Sequence, residues 1–334
     1  MRRTHVREKM DRIRHTDGLR FADSQPLGTS GMTVESAAET GPLVHIERDR
    51  LYTPARKWMS TAPRPFLRWA GSKRAHLLNI IPALPNGYRT YWEPFLGGGS
   101  LFFLLQPESA VLGDSCQPLI GTYRAVRDGP RSIIDRLQPM APNKDLFYEV
   151  RDRKASNRFA AAADFIYLNK TCWNGLYRVN ARGEFNVPYG RPKSDGIFDP
   201  SNLLACSDLL SRPDVTLTTN DFERTLADVD EGDLVFLDPP YVTGHNDNGF
   251  VDYNEKLFSW EDQRRLASIA RDLVKRGASV VATNANHSDI LRLYDGFEVR
   301  GFSRLSTLAG DVAKRGLVRE VVMYAWSPGL RSDI

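Results

Sequence analysis

The stretch VFLDPPY, from Val235 to Tyr241, limits the possible folds of this chain more than any other segment. Its apolar run predicts a buried strand. The strand must stop at Asp238 because Pro239 and Pro240 have no N–H to donate to a neighbouring strand. In open α/β sheets, ligands bind at the carboxyl ends of the strands. We therefore expect Asp238 to face a binding site at the edge of a buried sheet.

Segments of the same type recur along the chain and alternate with helical patterns. The predicted strands are Thr90–Leu96, Ser109–Asp114, Val215–Asp221, Asp233–Asp238 and Ala278–Asn284, followed by a closing hairpin of Phe297–Phe302 and Leu317–Trp326. The predicted helices are Ser72–Leu84, Leu101–Leu105, Pro118–Arg127, Glu261–Arg276 and Ser288–Tyr294. This alternation indicates an α/β fold, with a mostly parallel, Rossmann-like sheet covered by helices on both faces.

The chain divides into stretches of different character. Residues 1–60 are polar with little periodicity, and we expect a mostly disordered basic extension. Residues 61–130 and 211–334 carry the alternation of strands and helices and are expected to form one α/β domain. Residues 131–210 are helical and polar without an evident long strand, so we expect an inserted helical domain.

Composition argues against several classes of protein. No apolar run reaches the roughly 18 residues that a membrane span needs, and no apolar segment follows the basic N-terminus as a secretory signal requires. Cys116, Cys172 and Cys206 form no CxxC pair, which favours a reducing cytoplasm. Because no His or Cys cluster has zinc spacing, we expect no metal.

The net charge of +4 depends on where the basic residues lie. Residues 1–20 hold seven Lys/Arg and three Asp/Glu, so the remaining residues balance at 38 of each sign. A local surplus nevertheless stands between Asn143 and Lys193, where ten basic residues face five acidic ones. Charge alone favours a solvated helix face there, although such a patch also suits nucleic acid.

The sequence EPFLGGGS, Glu93–Ser100, lies where a predicted strand meets a helix. Glycines there allow close approach of a ligand, and a helix N-terminus favours polar or anionic groups. The dinucleotide pattern GxGxxG is incomplete, because Phe102 occupies the last glycine position. A tight turn without a ligand is the alternative. Asp114, at the end of the next strand, adds the acid that such folds use for ribose hydroxyls, which favours a nucleoside cofactor.

The Asp238–Tyr241 turn suits a planar amino group. Its prolines leave two acceptors and no donor, namely the Asp238 carboxylate and the Pro239 carbonyl. An NH2 group on a base has two protons to give, and Tyr241 offers a face for stacking. Holding both protons favours a pyramidal nitrogen with an available lone pair, through positioning and electrostatics. A strand-ending turn with a capping aspartate is the alternative.

These motifs together resemble the Dam-like N6-adenine DNA methyltransferases. The order of glycine turn, insert and DPPY is that of the family. FLRWAGSKR (Phe66–Arg74) is similar to its opening segment, and YLNKTCWNGLYRVNARGEFNVPYGR (Tyr167–Arg191) to its DNA-recognition hairpin. The resemblance covers Phe66 to Trp326. It implies a catalytic methyltransferase domain at 61–130 and 211–334, and a target-recognition domain at 131–210.

The resemblance implies roles for individual residues. S-adenosylmethionine would be bound by Trp69, Lys73, Phe95, Gly97, Gly98, Gly99, Asp114, Asp221, Phe222 and Asp238. The target adenine would be held by Asp238, Pro239, Pro240 and Tyr241. DNA would be contacted by Arg68, Trp173, Asn174, Leu176, Arg178 and Pro188. A core tryptophan, a solvated lysine and a helix-capping aspartate are the structural alternatives for Trp69, Lys73 and Asp221.

The hairpin pattern NGLxR with GEFNVPxGR is the one carried by relatives that methylate GATC, and we expect GATC as the target of a flipped adenine. Trp173 stands where the family usually has tyrosine, and Ser72 where it has glycine. The expected protein is a cytoplasmic monomer, nucleoid-associated through DNA, with a cognate restriction endonuclease as an open question. A catalytically silent DNA-binding protein, a nicotinamide oxidoreductase, and methyl transfer to RNA or to a protein amide are the alternatives.

Overall fold

Seven strands form one sheet in the computed structural model, which describes residues 63–192, 196–242, 258–305 and 317–326 and the short strand at 44–45. The strands are β1 (Val44–His45), β2 (Gly87–Tyr88), β3 (Tyr91–Glu93), β4 (Ala110–Gly113), β5 (Val215–Thr218), β6 (Leu234–Leu237), β7 (Ser279–Ala285), β8 (Glu298–Leu305) and β9 (Leu317–Ala325). Strands β3 to β9 make the main sheet in the order β5-β4-β3-β6-β7-β9-β8, and β1 pairs with β2 outside it.

Ten α-helices surround the sheet within the described part of the chain. They are α1 (Leu77–Ile80), α2 (Ser100–Leu105), α3 (Gln117–Asp128), α4 (Pro130–Leu137), α5 (Lys144–Asp152), α6 (Arg158–Thr171), α7 (Pro200–Leu210), α8 (Phe222–Thr225), α9 (Trp260–Lys275) and α10 (Ser288–Leu293). None of the helices in these ranges is long and apolar enough to cross a membrane.

The order of strands explains where the site lies. Strands β3 to β7 pair in parallel, and their carboxyl ends meet at one edge of the sheet. The chain continues from β3 outward to β4 and β5, then returns to the other side of β3 as β6. This reversal creates a crevice between β3 and β6, which is where open α/β sheets bind ligands. The predicted α/β class is confirmed.

Apolar sequence accounts for the centre of the sheet. All four residues of β6 are buried, as expected for a strand covered by helices on both faces. The predicted closing hairpin is also confirmed, since β8 and β9 pair antiparallel. It is β9 rather than β8 that joins the parallel strands, by pairing antiparallel with β7.

The prediction of one continuous helix over Ser72–Leu84 is wrong. The segment consists of a 3-10 turn at Lys73–His76, the short α1, and a second 3-10 turn at Ile81–Ala83. Pro82 has no N–H to give to the carbonyl of Leu78, so a continuous helix would lose that hydrogen bond. The Leu78 side chain, within α1, is 47% exposed.

Residues 131–210 are mainly helical, as predicted, in α4 to α7, but the described residues between α6 and α7 are not α-helical. Helix α6 packs against α3, α4 and α5, and α7 packs on α3 and α4. Beyond α6 the chain forms a narrow ribbon, with isolated antiparallel bridges at Cys172–Tyr189 and Val179–Phe185. All described residues fall within one compact unit, and the division into a catalytic and a target-recognition domain stays a prediction. Except for the strand at 44–45, the predicted extension of residues 1–60 lies outside the described residues.

Candidate active site

Asp238 follows β6 directly, at the crevice, and its carboxylate is held on one oxygen. The Lys73 ammonium lies 2.7 Å from Oδ1. The hydroxyl of Thr283, on β7, donates to the same Oδ1 at 2.6 Å. A carboxylate oxygen accepts about two hydrogen bonds, so these two donors occupy Oδ1. Oδ2 is therefore the oxygen on which Asp238 can receive a further donor.

Lys73, which the resemblance assigns to the cofactor, lies against Asp238 in this structure, and its contact with the cofactor stays a prediction. Its side chain is only 4% exposed. Besides Asp238 it donates to the Gly71 carbonyl at 2.8 Å and lies 4.7 Å from the centre of the Tyr241 ring. A buried ammonium needs such partners, because an unpaired charge away from water is costly. Lys73 thus ties the opening segment FLRWAGSKR to the DPPY turn.

Tyr241 is the last residue of the same turn, and a hydrogen bond fixes its side chain. Its hydroxyl donates to Oε2 of Glu320 on β9, at 3.2 Å. Burial raises the pKa of Tyr241 well above its usual range, and the charges of Asp238 and Glu320 add to the effect. The phenol therefore stays protonated and keeps its hydrogen bond to Glu320. The ring is held in a defined orientation beside Asp238.

The glycine turn is built around Trp69. Gly97 and Gly99 have positive φ angles of 47° and 64°, which side chains other than glycine rarely adopt. A Cβ on Gly97 would come within 2.7 Å of the Trp69 ring. The Gly97 N–H donates to Oδ2 of Asp114 at 3.0 Å, and its carbonyl accepts from Tyr123 at 3.1 Å. Gly98 and Gly99 lead into helix α2.

Asp114 directly follows β4 and lies beside this turn, as the sequence predicts. Its other oxygen accepts from the Cys116 N–H at 2.9 Å, so the carboxylate is fixed at both ends. Burial raises the pKa of Asp114, and the two backbone hydrogen bonds oppose that rise. Each oxygen retains room for a second donor. The carboxylate is thus oriented at the strand end and able to accept from hydroxyl groups.

Phe95 and Phe222 lie together at the carboxyl ends of β3 and β5. Their ring centres are 5.6 Å apart in a stacked arrangement, and Phe258 packs on both rings. Asp221 caps α8 by accepting from the Glu223 N–H, and its other oxygen accepts from Arg265 at 3.0 Å. Asp221 is therefore a helix-capping residue in this structure, and its part in binding the cofactor stays a prediction.

Apart from Arg68, the predicted DNA-contacting residues lie on the ribbon after α6. The Trp173 side chain is 43% exposed, and its backbone N–H donates to the Pro188 carbonyl at 2.9 Å. Asn174 has a positive φ of 53°, which turns the chain back at this point. Leu176, by contrast, is partly buried against the core. This packing anchors the ribbon to the core, and the contact of Leu176 with DNA stays a prediction.

Arg178 and Arg68 connect the ribbon to its surroundings. The Arg178 guanidinium donates from Nε to Oδ1 of Asn186 at 2.8 Å, which fixes its direction across the ribbon. The Arg68 backbone exchanges two hydrogen bonds with the Asn169 side chain on α6. Next to Arg68, Trp69 stacks on Tyr177 of the ribbon at 5.7 Å. The glycine turn and the ribbon are therefore joined through one aromatic contact.

Sequence reasoning missed several polar residues at the same edge. Thr283, Gln263 and Glu320 contact the Asp238–Tyr241 turn, and Glu93 is buried at the end of the neighbouring strand β3. Thr219, after β5, has a buried hydroxyl with no hydrogen-bond partner in the described part of the chain. Glu93 lies within the EPFLGGGS motif, so its position in that motif was the available sequence signal. The others carry no local signal, because their contacts depend on strand pairing.

The fold and this site together define a class of protein. A parallel sheet with a glycine turn after one strand and a carboxylate–diproline turn after its neighbour is the arrangement of a Rossmann-like, S-adenosylmethionine-dependent methyltransferase. Residues 69–307 match the family described as D12 class N6 adenine-specific DNA methyltransferase. The chain belongs to this family, and the resemblance seen in its motifs is confirmed.

Individual relatives agree with the family. The chain is 33% identical over 268 residues to the type II methyltransferase M1.LlaDCHI of Lactococcus lactis subsp. cremoris, which covers 78% of this chain and 94% of the relative. It is 37% identical over 286 residues to the type II methyltransferase M.MjaIII of Methanocaldococcus jannaschii, with coverages of 78% and 98%. The DNA adenine methylase of Escherichia coli K12 is 32% identical over 227 residues, covering 66% of this chain and 80% of that protein.

Proposed function

We propose that this adenine-specific DNA methyltransferase methylates N6 of an adenine turned out of duplex DNA, and that its target is GATC. The observation that carries the proposal is the Asp238 carboxylate, pinned on Oδ1 by Lys73 and Thr283 at the crevice between β3 and β6. The similarity of the ribbon to hairpins of GATC-methylating relatives supports the target.

The described residues fit S-adenosylmethionine as methyl donor. The Gly97 backbone lies against Trp69 with no space for a Cβ, so it presents bare backbone at the turn. Asp114 has an oriented carboxylate suited to ribose hydroxyls, and the buried Thr219 hydroxyl has no hydrogen-bond partner among the described residues. Phe95 and Phe222 offer aromatic faces, which suit a sulfonium cation and an adenine ring. When bound, this group supplies an electrophilic methyl.

The protein's own part in the reaction is to position the amino group. Oδ2 of Asp238 and the Pro239 carbonyl accept hydrogen bonds from its two N–H groups, and Tyr241 stacks on the base. Both acceptors favour a pyramidal nitrogen whose lone pair points away from the ring. A base must leave the duplex to reach this turn, at a cost of about a few kcal/mol. Preorganised acceptors in a site shielded from water make the catalytic contribution.

The ribbon and the helices before it are proposed as the DNA-binding part. Arg178 is directed across the ribbon, and an arginine in the major groove reads guanine through O6 and N7. Trp173, whose side chain is exposed, would fill the gap left by a flipped base, and Asn174 would meet a base edge or a phosphate. The basic residues between 143 and 193 would neutralise phosphates without sequence preference.

The test is transfer of a labelled methyl group. The purified protein is incubated with labelled S-adenosylmethionine and duplexes that differ only in having GATC or a scrambled site. We expect label on adenine of the GATC duplex alone, and none with Asp238→Ala while its circular dichroism remains that of the parent. Absence of transfer to any adenine, with intact DNA binding, would instead support the silent DNA-binding alternative. The family match decides against the nicotinamide oxidoreductase. A cognate endonuclease stays a prediction.

A further inference from the structure

The Asp238–Tyr241 turn is held from outside by side chains that belong to none of the sequence motifs. Thr283 donates to Asp238 and Gln263 donates to the Pro240 carbonyl, at 2.6 and 3.0 Å. These two donors come from β7 and α9. They approach the turn from the side opposite the glycine turn, and each takes one acceptor of the turn.

Thr283 controls the orientation of the carboxylate. The parallel register pairs Leu237 with Ala282, so the next residues along, Asp238 and Thr283, lie side by side. Thr283 is fully buried, and its hydroxyl meets the same oxygen as the Lys73 ammonium. Lysine is a flexible point charge and sets direction poorly. A hydroxyl on a β-branched side chain is stiff at χ1 and fixes the rotation of its partner.

Gln263 controls the second acceptor. Its side chain is fully buried near the start of α9. Nε2 donates to the Pro240 carbonyl, and Oε1 accepts from the Asn284 amide at 3.1 Å. Asn284 in turn accepts from the Ala285 N–H at 2.8 Å. This chain of hydrogen bonds anchors the amide to β7, and it engages the carbonyl of Pro240 while leaving that of Pro239 to the substrate.

We propose that Thr283 and Gln263 are positioning residues that select the two acceptors presented to the target amino group, namely Oδ2 of Asp238 and the Pro239 carbonyl. The inference rests on the proposed role of the Asp238–Tyr241 turn. Lys73 supplies the balancing charge, and Thr283 and Gln263 supply the geometry. A misplacement of about 1 Å at a reacting group costs up to about 100-fold in rate.

Thr283→Val tests the first residue, because valine keeps the shape and removes the hydroxyl. Single-turnover methylation of a GATC duplex is expected to slow about 10-fold to 100-fold. Dissociation constants for S-adenosylmethionine and DNA are expected to stay within about twofold, since these reflect uniform binding. Thr283→Ser keeps the hydroxyl and is expected to restore most of the rate. Gln263→Met, which removes both hydrogen bonds, is expected to behave like Thr283→Val and serves if that variant does not fold.

Thr122→Val is the matched control. Thr122, on α3, is also buried, and its hydroxyl donates to the Pro118 carbonyl at 2.8 Å. The single-turnover methylation rate of Thr122→Val is expected to equal that of the parent protein. The inference is overturned if Thr283→Val and Gln263→Met methylate at the parental rate, if serine fails to rescue, or if the loss resides in cofactor affinity. An inactive parent protein would count against the proposed function instead, so the two failures are distinct.

Discussion

At the scale of single residues, the buried pair of Lys73 and Asp238 makes the most specific claim. The two side chains meet at 2.7 Å, with Lys73 shielded from water. Replacing one member leaves the other charge buried without its partner, at a cost of about 3 kcal/mol. Lys73→Met is therefore expected to lower the free energy of unfolding by about that amount, as measured by urea denaturation.

A double-mutant cycle with Asp238→Asn separates the two roles considered for Lys73. If Lys73 serves to pair with Asp238, the losses of unfolding free energy in the two single variants do not add up in the double variant. The reason is that the second replacement removes the charge that the first left without a partner. Additive losses, together with weakened binding of S-adenosylmethionine by Lys73→Met alone, would instead support the predicted contact of Lys73 with the cofactor.

Glu93 predicts a dependence of stability on pH. Burial raises its pKa well above the ordinary 4.5, and the charge of Asp238 adds to this against hydrogen bonds from Tyr91 and Phe102. The folded protein therefore holds a proton that the unfolded chain releases above about pH 4.5. The stability contributed by this group is present below that pH and is lost as pH rises toward the folded pKa.

Glu93→Gln is neutral at every pH and removes this loss. The difference in unfolding temperature between the variant and the parent should grow in favour of the variant as pH is raised from about 4.5 to 8. Comparing the difference cancels the contribution of Asp114, whose pKa is raised in the same direction. Parallel melting curves across this range would contradict the account.

At the scale of structural elements, the glycine turn gives a matched pair of substitutions. Gly97→Ala places a Cβ within 2.7 Å of Trp69 at a φ of 47°. A left-handed conformation alone costs about 1–2 kcal/mol. We expect that loss of stability and weaker binding of S-adenosylmethionine, measured by denaturation and calorimetry.

Gly121 supplies the control for this substitution. It lies within α3, where an added Cβ meets no atom within 4 Å. Gly121→Ala is expected to stabilise the protein by about 0.5–1 kcal/mol, with unchanged cofactor binding. Equal effects of the two replacements would show that the turn has no special requirement for glycine.

Helix α6 carries a lysine whose charge is sensitive to pH. Burial lowers the pKa of Lys170 to about 8, and the neighbouring Arg68, Arg74 and Arg64 add to the effect. If this part of the chain binds phosphates, DNA favours the charged form. Affinity for a non-specific duplex should therefore fall as pH rises from about 7 to 9, by fluorescence anisotropy at constant salt.

Lys170→Arg keeps its charge over this range and should flatten the dependence. The exposed Lys144, in the same region, is the control, and Lys144→Arg should leave the dependence in place. A parent protein whose affinity does not change between these pH values would contradict the participation of Lys170 in binding.

The same scale shows what sequence patterns can predict. Strands β3 to β7 were predictable because buried apolar runs end at turn residues, and the glycine and DPPY motifs mark two of those ends. The break in the helix over 72–84 has a local signal in Pro82, but the apolar spacing on both sides of it favoured one continuous helix. The pairing of β9 between β7 and β8 has no local signal, because a hairpin alone does not specify its neighbour.

At the scale of the whole molecule, the site is assembled from residues far apart in sequence. Lys73, Asp238 and Thr283 meet because three separate elements reach one edge of the sheet. The sequence could name Lys73 and Asp238 through their motifs. It could not name Thr283 or Gln263, whose contacts follow from the register of β6 and β7 and from the packing of α9. Non-local pairing is the information that a single sequence does not carry.

The central claim is that this chain methylates adenine in GATC through Asp238, and genome-wide methylation mapping tests it most directly. The protein and its Asp238→Ala variant are expressed in a host that lacks adenine methylation, and every adenine is scored. The account predicts N6-methyladenine at GATC with the parent protein and none with the variant. Methylation at another sequence, an unmethylated genome, or methylation by the variant would contradict it.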